Sequence, residues 1–313
     1  MRGLVIAVSL FISFACISHL YVNVVCDPGF ELYGVWGHVK LAVFLVLFFN
    51  LCYNYALSVI TLPGSAPPSW VPPGWTPEQL EANKMEVIEA ERQGKGSQST
   101  TSVAPTLEFS ARYCAHCKQF RPERAHHCRM CNACVLRMDH HCPWINNCVG
   151  FHNHRYFFLF IAYASLAIAQ VVIGYLFTGI HFLTMREEND LPAAQPAEQA
   201  RHAIVGVLMV INLSLLIPVM LGLINLSLFQ TNLLLTNVTS IETYTRRRVR
   251  SQCRTRREPF HWRYDLGSPW QNAREILGGS LLCWACPFGD SFLGDGDGFS
   301  YSPNPDLFQE FQV

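Results

Sequence analysis

At 313 residues the chain has length for about two soluble domains, but 50% of it is hydrophobic and only 15% is charged, which excludes two ordinary water-soluble domains. Lys plus Arg and Asp plus Glu both total 23; with no net charge there is no global positive field, and no nucleic acid is expected as a partner. Four apolar stretches, near 4–25, 40–62, 156–183 and 203–235, each reach the roughly 20 residues that cross a bilayer.

In chain order, residues 1–62 are expected to form two transmembrane helices joined by a short lumenal loop. Arg2 ahead of an apolar run also fits a cleaved signal peptide; the second span would still deliver the next segment to the cytosol. Cys16, Cys26 and Cys52, in or beside these spans, read as packing residues. Residues 63–111 form a cytosolic linker, proline-rich and extended through Pro77. A helix starts within it, with Thr76 as cap, Pro77 in the first helical position and Gln79 completing a capping box, and runs to about Arg92. Gly94 to Ser102 is a flexible linker. Residues 112–155 make a cysteine-rich domain of short hairpins, since they lack a helical apolar stripe. Transmembrane helices 3 and 4 with a lumenal loop occupy 156–235, and the last two apolar stretches hold no Asp, Glu, Lys or Arg. The cytosolic tail, 236–313, mixes basic residues with Trp262, Tyr264 and Trp270, and is expected to lie against the membrane face and the cysteine-rich domain. Beyond 287, Gly, Asp, Ser and Pro predict disorder. Asp290, Asp295 and Asp297 do not follow calcium-loop spacing and read as a solvated acidic tail.

Sidedness follows from charge. Lys and Arg crowd 84–155 and the tail, including Arg246, Arg247, Arg248 and Arg250, whereas the loops near 26–39 and 184–202 hold only Arg186 and Arg201 against six acids. The positive-inside rule puts both termini and the cysteine-rich domain in the cytosol, with Lys40 the one dissent. The expected fold is thus an all-α membrane protein, four transmembrane helices with a cytosolic two-metal domain of short hairpins.

Between Cys114 and Cys148 one ligand pattern occurs twice. Cys114-x2-Cys117-x9-His127-x6-Cys134 is the first copy; Cys128-x2-Cys131-x9-His141-x6-Cys148 is the second, shifted by 14 residues and interleaved. Each supplies three thiolates and one imidazole, the ligand set of a closed structural zinc site. Cytosolic thiols stay reduced, so metal binding rather than disulfide pairing is the expectation for seven cysteines in 35 residues. Cys142 would begin a third copy, but its partners would be Ile145, Arg155 and Ala162, none a usable ligand. A thiol left over beside Asp139 and His140 is a candidate nucleophile. A spare metal ligand is the alternative reading of Cys142.

The run from Arg137 through Asp139-His140-His141-Cys142-Pro143-Trp144 to Gly150 resembles the DHHC protein S-acyltransferases, or palmitoyltransferases. Arg121, Pro122, Arg124, His126 and His127 also fit that family's pattern. The resemblance implies four spans, two structural Zn²⁺, and acyl-CoA as donor. It implies that Cys142 takes the acyl group, His140 is the base and Asp139 orients it, while His141 belongs to the second metal set. Thr239-Ser240-Ile241-Glu242 stands where the family usually has Thr-Thr-x-Glu, and serine keeps a hydroxyl that can reach the Asp139 region. Asn272-x3-Ile276-Leu277-Gly278 resembles a tail motif that docks on the membrane domain. Two departures stand out: Leu62-Pro63-Gly64 replaces Asp-Pro-Gly, and Ala273 and Leu277 replace common aromatics, which predicts looser tail packing. Asn237-x-Thr-Ser-Ile-Glu and Tyr264-Asp265-x-Gly267-Ser268 are similar to the endoplasmic-reticulum branch, implying an endomembrane protein of the reticulum rather than the Golgi.

Implied partners are the bilayer, acyl-CoA, and substrate proteins with membrane-proximal cysteines. Lys118, Arg121, Arg124 and His126 form a candidate cluster for coenzyme A phosphates, or a patch facing anionic headgroups, and Trp144 is counted with the acyl-CoA contacts. The Arg246–Arg250 run reads as a topology and lipid signal. Ala162, Ala164, Ser165, Ala167 and Ala169 suit either a cavity for a long saturated chain or close helix packing. Cys283-x2-Cys286 reads as two thiols, inert or themselves acylated. A membrane-anchored zinc scaffold and a ubiquitin-ligase adaptor are the rivals; neither explains Asp139, His140 and Cys142.

Overall fold

A computed structural model describes residues 2–22, 34–93, 112–188, 196–279, 296–302 and 304. Cys26, the 94–102 linker, Cys283, Cys286, Asp290 and Asp295 lie outside the described residues. The helices are α1 (Arg2–Leu20), α2 (Val35–Ile60), α3 (Pro77–Arg92), α4 (His154–Glu188), α5 (Pro196–Leu235), α6 (Glu242–Arg256) and α7 (Pro269–Leu277). Six short strands lie between α3 and α4: β1 (Arg112–Cys114), β2 (Gln119–Arg121), β3 (His126–Cys128), β4 (Ala133–Val135), β5 (His140–Cys142) and β6 (Asn147–Val149). Four helices contain stretches long and apolar enough to cross a membrane: Gly3–Leu20, Val35–Ile60, His154–Ile180 and Gln199–Leu235. The helices α2, α4 and α5 start earlier than the apolar runs, because backbone hydrogen bonding continues through polar flanking residues.

The chain divides into two units, Met1–Ala56 with Phe158–Gln230, and Leu57–Phe157 with Thr231–Val313. In the first, Val22, Phe44, Val171, Val172, Tyr175 and Leu216 form a buried cluster. Leu51, Ala164 and Ala167 form a second, packed with Ile12, Leu47 and Leu223. The two alanines are therefore buried helix-packing positions, small enough for α4 to approach α2. Leu10, Trp36, Phe177 and Val210 point outward and exposed, the arrangement expected where lipid tails are the solvent. Ser18 Oγ donates to Asn212 Oδ1 at 3.0 Å inside this bundle.

The second unit is built on three antiparallel two-stranded hairpins, β1–β2, β3–β4 and β5–β6. Their turns repeat: Lys118, Asn132 and Asn146, spaced by 14 residues, all adopt positive φ (54°, 51° and 50°). Asparagine tolerates that left-handed conformation better than most residues. α3 has the expected capping box, Thr76 and Gln79 each satisfying the other's backbone N–H; Asn83 on it accepts from Tyr113 N at 2.9 Å. Leu62-Pro63-Gly64 keeps a backbone role without the acid: Gly64 O accepts from Leu136 N and Pro63 O from His152 N. Gly64 has φ +95°, and a Cβ there would stand 2.7 Å from His152 Cδ2, so glycine is required.

Two expectations for the tail are corrected. The Asn272 motif is tightly packed: Asn272, Ala273 and Leu277 on α7 are buried, and Asn272 bonds Leu235 O, Asp265 Oδ1 and Leu266 N. Hydrogen bonds do what aromatics would have done. Disorder beyond 287 does not extend to 296–302 and 304. Phe299 stacks on Trp70, Tyr301 meets Tyr264 edge-on, and buried Asn304 bonds the backbone of Trp262 and Arg263. Asp297 is exposed, as expected of a solvated acid, and also caps Phe299 N and Ser300 N locally. Three hydrophobic or amide side chains in a polar stretch were enough to anchor it.

Candidate active site and metal clusters

The eight expected ligands meet in two groups, Cys114, Cys117, His127 and Cys134, and Cys128, Cys131, His141 and Cys148, with each group's ligand atoms within 4.8 Å of one another. Strand register explains how. His127 faces Cys134 across the second hairpin, and His141 faces Cys148 across the third. Each facing pair joins the two turn cysteines of the preceding hairpin, so each cluster staples one hairpin's turn to the middle of the next. The spacings suit zinc. Bonds of about 2.3 Å to sulfur and 2.0–2.1 Å to nitrogen in a tetrahedron imply ligand separations of roughly 3.5–3.8 Å. Cys134 Sγ–Cys117 Sγ is 3.7 Å, Cys131 Sγ–Cys148 Sγ is 3.5 Å, and His141 Nδ1 lies 3.4–3.6 Å from its three sulfurs. Both sets are complete with protein ligands, the condition of a structural rather than a catalytic zinc.

The third hairpin's turn has no hairpin after it. Cys142 takes the position that Cys114 and Cys128 hold in the first two turns, and Ile145, fully buried, takes that of the second cysteine. Asn147, paired with Cys142 in register, holds this hairpin instead. Its amide donates to Ser58, Val59 and Thr61 carbonyls at 3.2, 3.3 and 2.8 Å, at and just after the end of α2, where carbonyls have no partner further along the helix. Asn153 adds a donor to Thr61 O at 3.2 Å.

Alternation along β5 puts His140 and Cys142 on one face and His141 on the other, toward the second cluster. Asp139 is completely buried. Its Oδ2 accepts from His140 Nδ1 at 2.7 Å and from Ser240 Oγ at 2.9 Å, and Oδ1 accepts from Ser240 N at 2.7 Å. The hydroxyl kept by Ser240 thus reaches Asp139 as expected. Burial alone would raise the Asp139 pKa, but the His140 bond, the nearby His154 charge and the Ser240 N–H hold it well below the ordinary carboxylate range. Burial would likewise lower His140, yet the Asp139 and Cys142 hydrogen bonds outweigh it and lift its pKa to about 9. With Nδ1 committed to Asp139, Nε2 is the nitrogen that can exchange a proton. Phe157 packs edge-on against the ring, 5.2 Å between centroids. An oriented imidazole, strongly basic and hydrogen-bonded to a buried thiol, can act as that thiol's proton acceptor.

Arg124 leaves the expected phosphate cluster. Its buried guanidinium makes a fork to Glu242 (2.7 and 2.8 Å) and bonds both the side chain and the carbonyl of Asn237 at 3.0 Å. Tyr264 lies 4.1 Å beneath it. His126 is no cation either: burial, then the charge of Arg121, pushes its pKa down to about 3. Lys118 is exposed on the first turn and Arg121 partly exposed on β2, and Trp144, 57% exposed, lies two residues from Cys142. The sequence reading quoted Arg137 in the motif but gave it no role, though the side chain is buried with NH1 3.1 Å from His154 Nδ1 and NH2 donating to Asn237 Oδ1 at 2.9 Å. It noticed Asn237 only as a branch detail, yet that side chain joins both arginines to the tail through Tyr264 O. The available signal was an asparagine two residues past a long apolar helix, where left-handed φ is needed (here 45°).

Comparison with known proteins agrees with this geometry. The sequence model of the DHHC palmitoyltransferase family matches residues 107–247. Probable protein S-acyltransferase 16 of Arabidopsis thaliana is 33% identical over 283 residues, covering 90% of this chain and 87% of its own. Palmitoyltransferase PFA4 of Mycosarcoma maydis is 34% identical over 296 residues, 91% of this chain and 56% of its own length. Probable protein S-acyltransferase 14 of Arabidopsis thaliana is 31% identical, covering 79% and 71%. The chain belongs to the DHHC palmitoyltransferase family: it is a multi-pass membrane enzyme, a protein S-palmitoyltransferase.

Proposed function

We propose that this enzyme moves a long-chain acyl group from acyl-CoA to protein cysteines through a thioester on Cys142. His140 Nε2 takes the Sγ proton, and the thiolate attacks the thioester carbonyl carbon. The bond to coenzyme A sulfur breaks, and His140 returns the proton to the leaving thiolate. In the second half the substrate cysteine gives its proton to His140 and attacks the Cys142 thioester, and His140 reprotonates Cys142. Asp139 holds the imidazolium that forms in each half. The carrying observation is the Asp139–His140–Cys142 line on the one hairpin whose turn cysteine has no metal set.

Lys118, Arg121 and Trp144 remain the proposed acyl-CoA contacts. Both termini and the hairpins are proposed to be cytosolic, in the endoplasmic reticulum, on the charge distribution and the branch-like details. Each methylene removed from water contributes roughly 0.8 kcal/mol, so a palmitoyl chain favours the membrane while the coenzyme A head stays in water. The test is labelling of purified protein with an alkyne fatty acyl-CoA, followed by hydroxylamine. Wild type should carry a hydroxylamine-sensitive label and Cys142→Ser none; equal labelling would end the mechanism.

A further inference from the structure

The turn that carries Cys142 matches the two metal-holding turns in register and in turn conformation. Cys114, Cys128 and Cys142 open the three turns and pair with Gln119, Ala133 and Asn147. Lys118, Asn132 and Asn146 hold the same place in each, with φ of 54°, 51° and 50°. In the first two turns the amide three residues after the leading cysteine serves that cysteine's sulfur. Cys131 N donates to Cys128 Sγ at 3.4 Å, and the Cys117 backbone N–H hydrogen-bonds Cys114. A backbone donor aimed at a thiolate stabilises its negative charge.

The third turn keeps the donor and has no ligand set to serve. The equivalent amide belongs to Ile145, which is fully buried. Among the described residues its N–H has no acceptor; the Cys142 thiol is hydrogen-bonded to His140 instead. Buried amides are nearly always paired, so this one calls for an explanation. The reaction supplies a charge for it. When the Cys142 thiolate attacks a thioester carbonyl carbon, a C–S bond forms and the carbonyl π pair moves onto oxygen. That oxygen is bonded to the carbon attached to Sγ, within reach of a donor in the same turn. On collapse the pair returns to carbon, the bond to the departing sulfur breaks, and that thiolate takes the proton held by His140. Trp144, on the same turn, is exposed, so the turn lies at the surface where substrate arrives.

With Cys142 as the acyl carrier, on which this rests, we propose that the backbone N–H of Ile145 is the oxyanion donor for the tetrahedral intermediates formed at Cys142 in both halves of the reaction. The residue whose side chain replaces a second thiolate thereby contributes through its main chain. A fixed backbone donor facing the place where charge develops favours the transition state over the bound substrate.

The test replaces Ile145 by its α-hydroxy acid, so that an ester oxygen stands where the N–H was and the side chain is unchanged. The same exchange at Asn146, whose N–H donates to Pro143 O at 3.3 Å, controls for loss of a turn bond. Two rates are read at Cys142 of the full-length protein by peptide mass spectrometry: acylation by palmitoyl-CoA and alkylation by iodoacetamide. Alkylation displaces iodide at a saturated carbon, so it needs the thiolate but forms no oxyanion. The Ile145 ester should slow acylation by about 10²–10³, with the KM for palmitoyl-CoA and the alkylation rate within about threefold of wild type. The Asn146 ester should slow acylation by less than about tenfold. Acylation of the Ile145 ester at the wild-type rate would overturn the proposal. So would equal slowing of acylation and alkylation, which would assign the amide to the thiolate or to the turn, or equal slowing by the two esters. Failure of wild type to acylate Cys142 would sink the carrier reading itself, and that outcome is read without either ester.

Discussion

Asp139 gathers three hydrogen-bond donors on two oxygens while fully buried. Charge-assisted bonds of this kind contribute about 1.5–3 kcal/mol each, enough to keep a carboxylate ionised without water. Its consequence falls on His140, whose pKa is lifted to about 9, so the imidazolium formed on taking a proton is favoured at neutral pH. Asp139→Asn removes that negative charge, so the His140 pKa falls and the imidazolium that forms on proton transfer is less favoured. The expected outcome is a fall of roughly 10²–10⁴ in acyl-enzyme formation at pH 7, with the acid limb of the pH–rate profile, which follows the His140 pKa, displaced downward. Rate measurements between pH 5.5 and 9 check both; a lower rate with an unmoved limb would assign Asp139 a packing role only.

At the scale of elements, the 14-residue repeat produces three hairpins of the same geometry held by different forces. The first and second turns close on metal ligands; the third closes on buried Ile145 and on Asn147 gripping the end of α2. With Ile145 in the second cysteine's place and no hairpin to follow, Cys142 belongs to neither ligand set. Asn147→Ala would remove the amide that grips the end of α2 from a partly buried place, a loss of about 1–3 kcal/mol. It should lower the detergent melting temperature and slow Cys142 labelling while both zinc sites stay filled. A second element-level prediction concerns the tail. Glu242→Gln leaves Arg124 charged and buried, which costs about 3–5 kcal/mol; adding Arg124→Leu should recover part of that loss in a thermal melt. A Glu242→Gln variant as stable as wild type would show the pair to be dispensable.

For the whole molecule, metal content and chemistry separate cleanly. Elemental analysis should find two zinc ions per chain in wild type and in Cys142→Ser, and one or fewer in Cys148→Ser. Loss of a zinc from Cys142→Ser would place that sulfur among the ligands instead of at the chemistry. The tail binds this region from outside the repeat: Ser240 reaches Asp139, Glu242 reaches Arg124, and Tyr264 OH donates to Glu123 Oε2 at 3.2 Å. The hairpins are too small to bury a core of their own, and these long-range bonds complete it.

The four spans, the two ligand sets and the leftover cysteine could all be read from the chain alone. Each is a local regularity: apolar length, fixed ligand spacing, or one position that breaks a repeat. The α3 capping box was legible for the same reason. The fate of individual charges was not. Arg124 looked like a phosphate ligand because its charge and place beside the metal ligands were visible, whereas Glu242, 118 residues away, was not paired to it by any local pattern. The same holds for Arg137 with Asn237 and for the contacts of Phe299, Tyr301 and Asn304 with Trp70, Tyr264 and Trp262. A buried ionic group takes its role from whatever partner the fold brings within about 3 Å, and only tertiary structure chooses that partner.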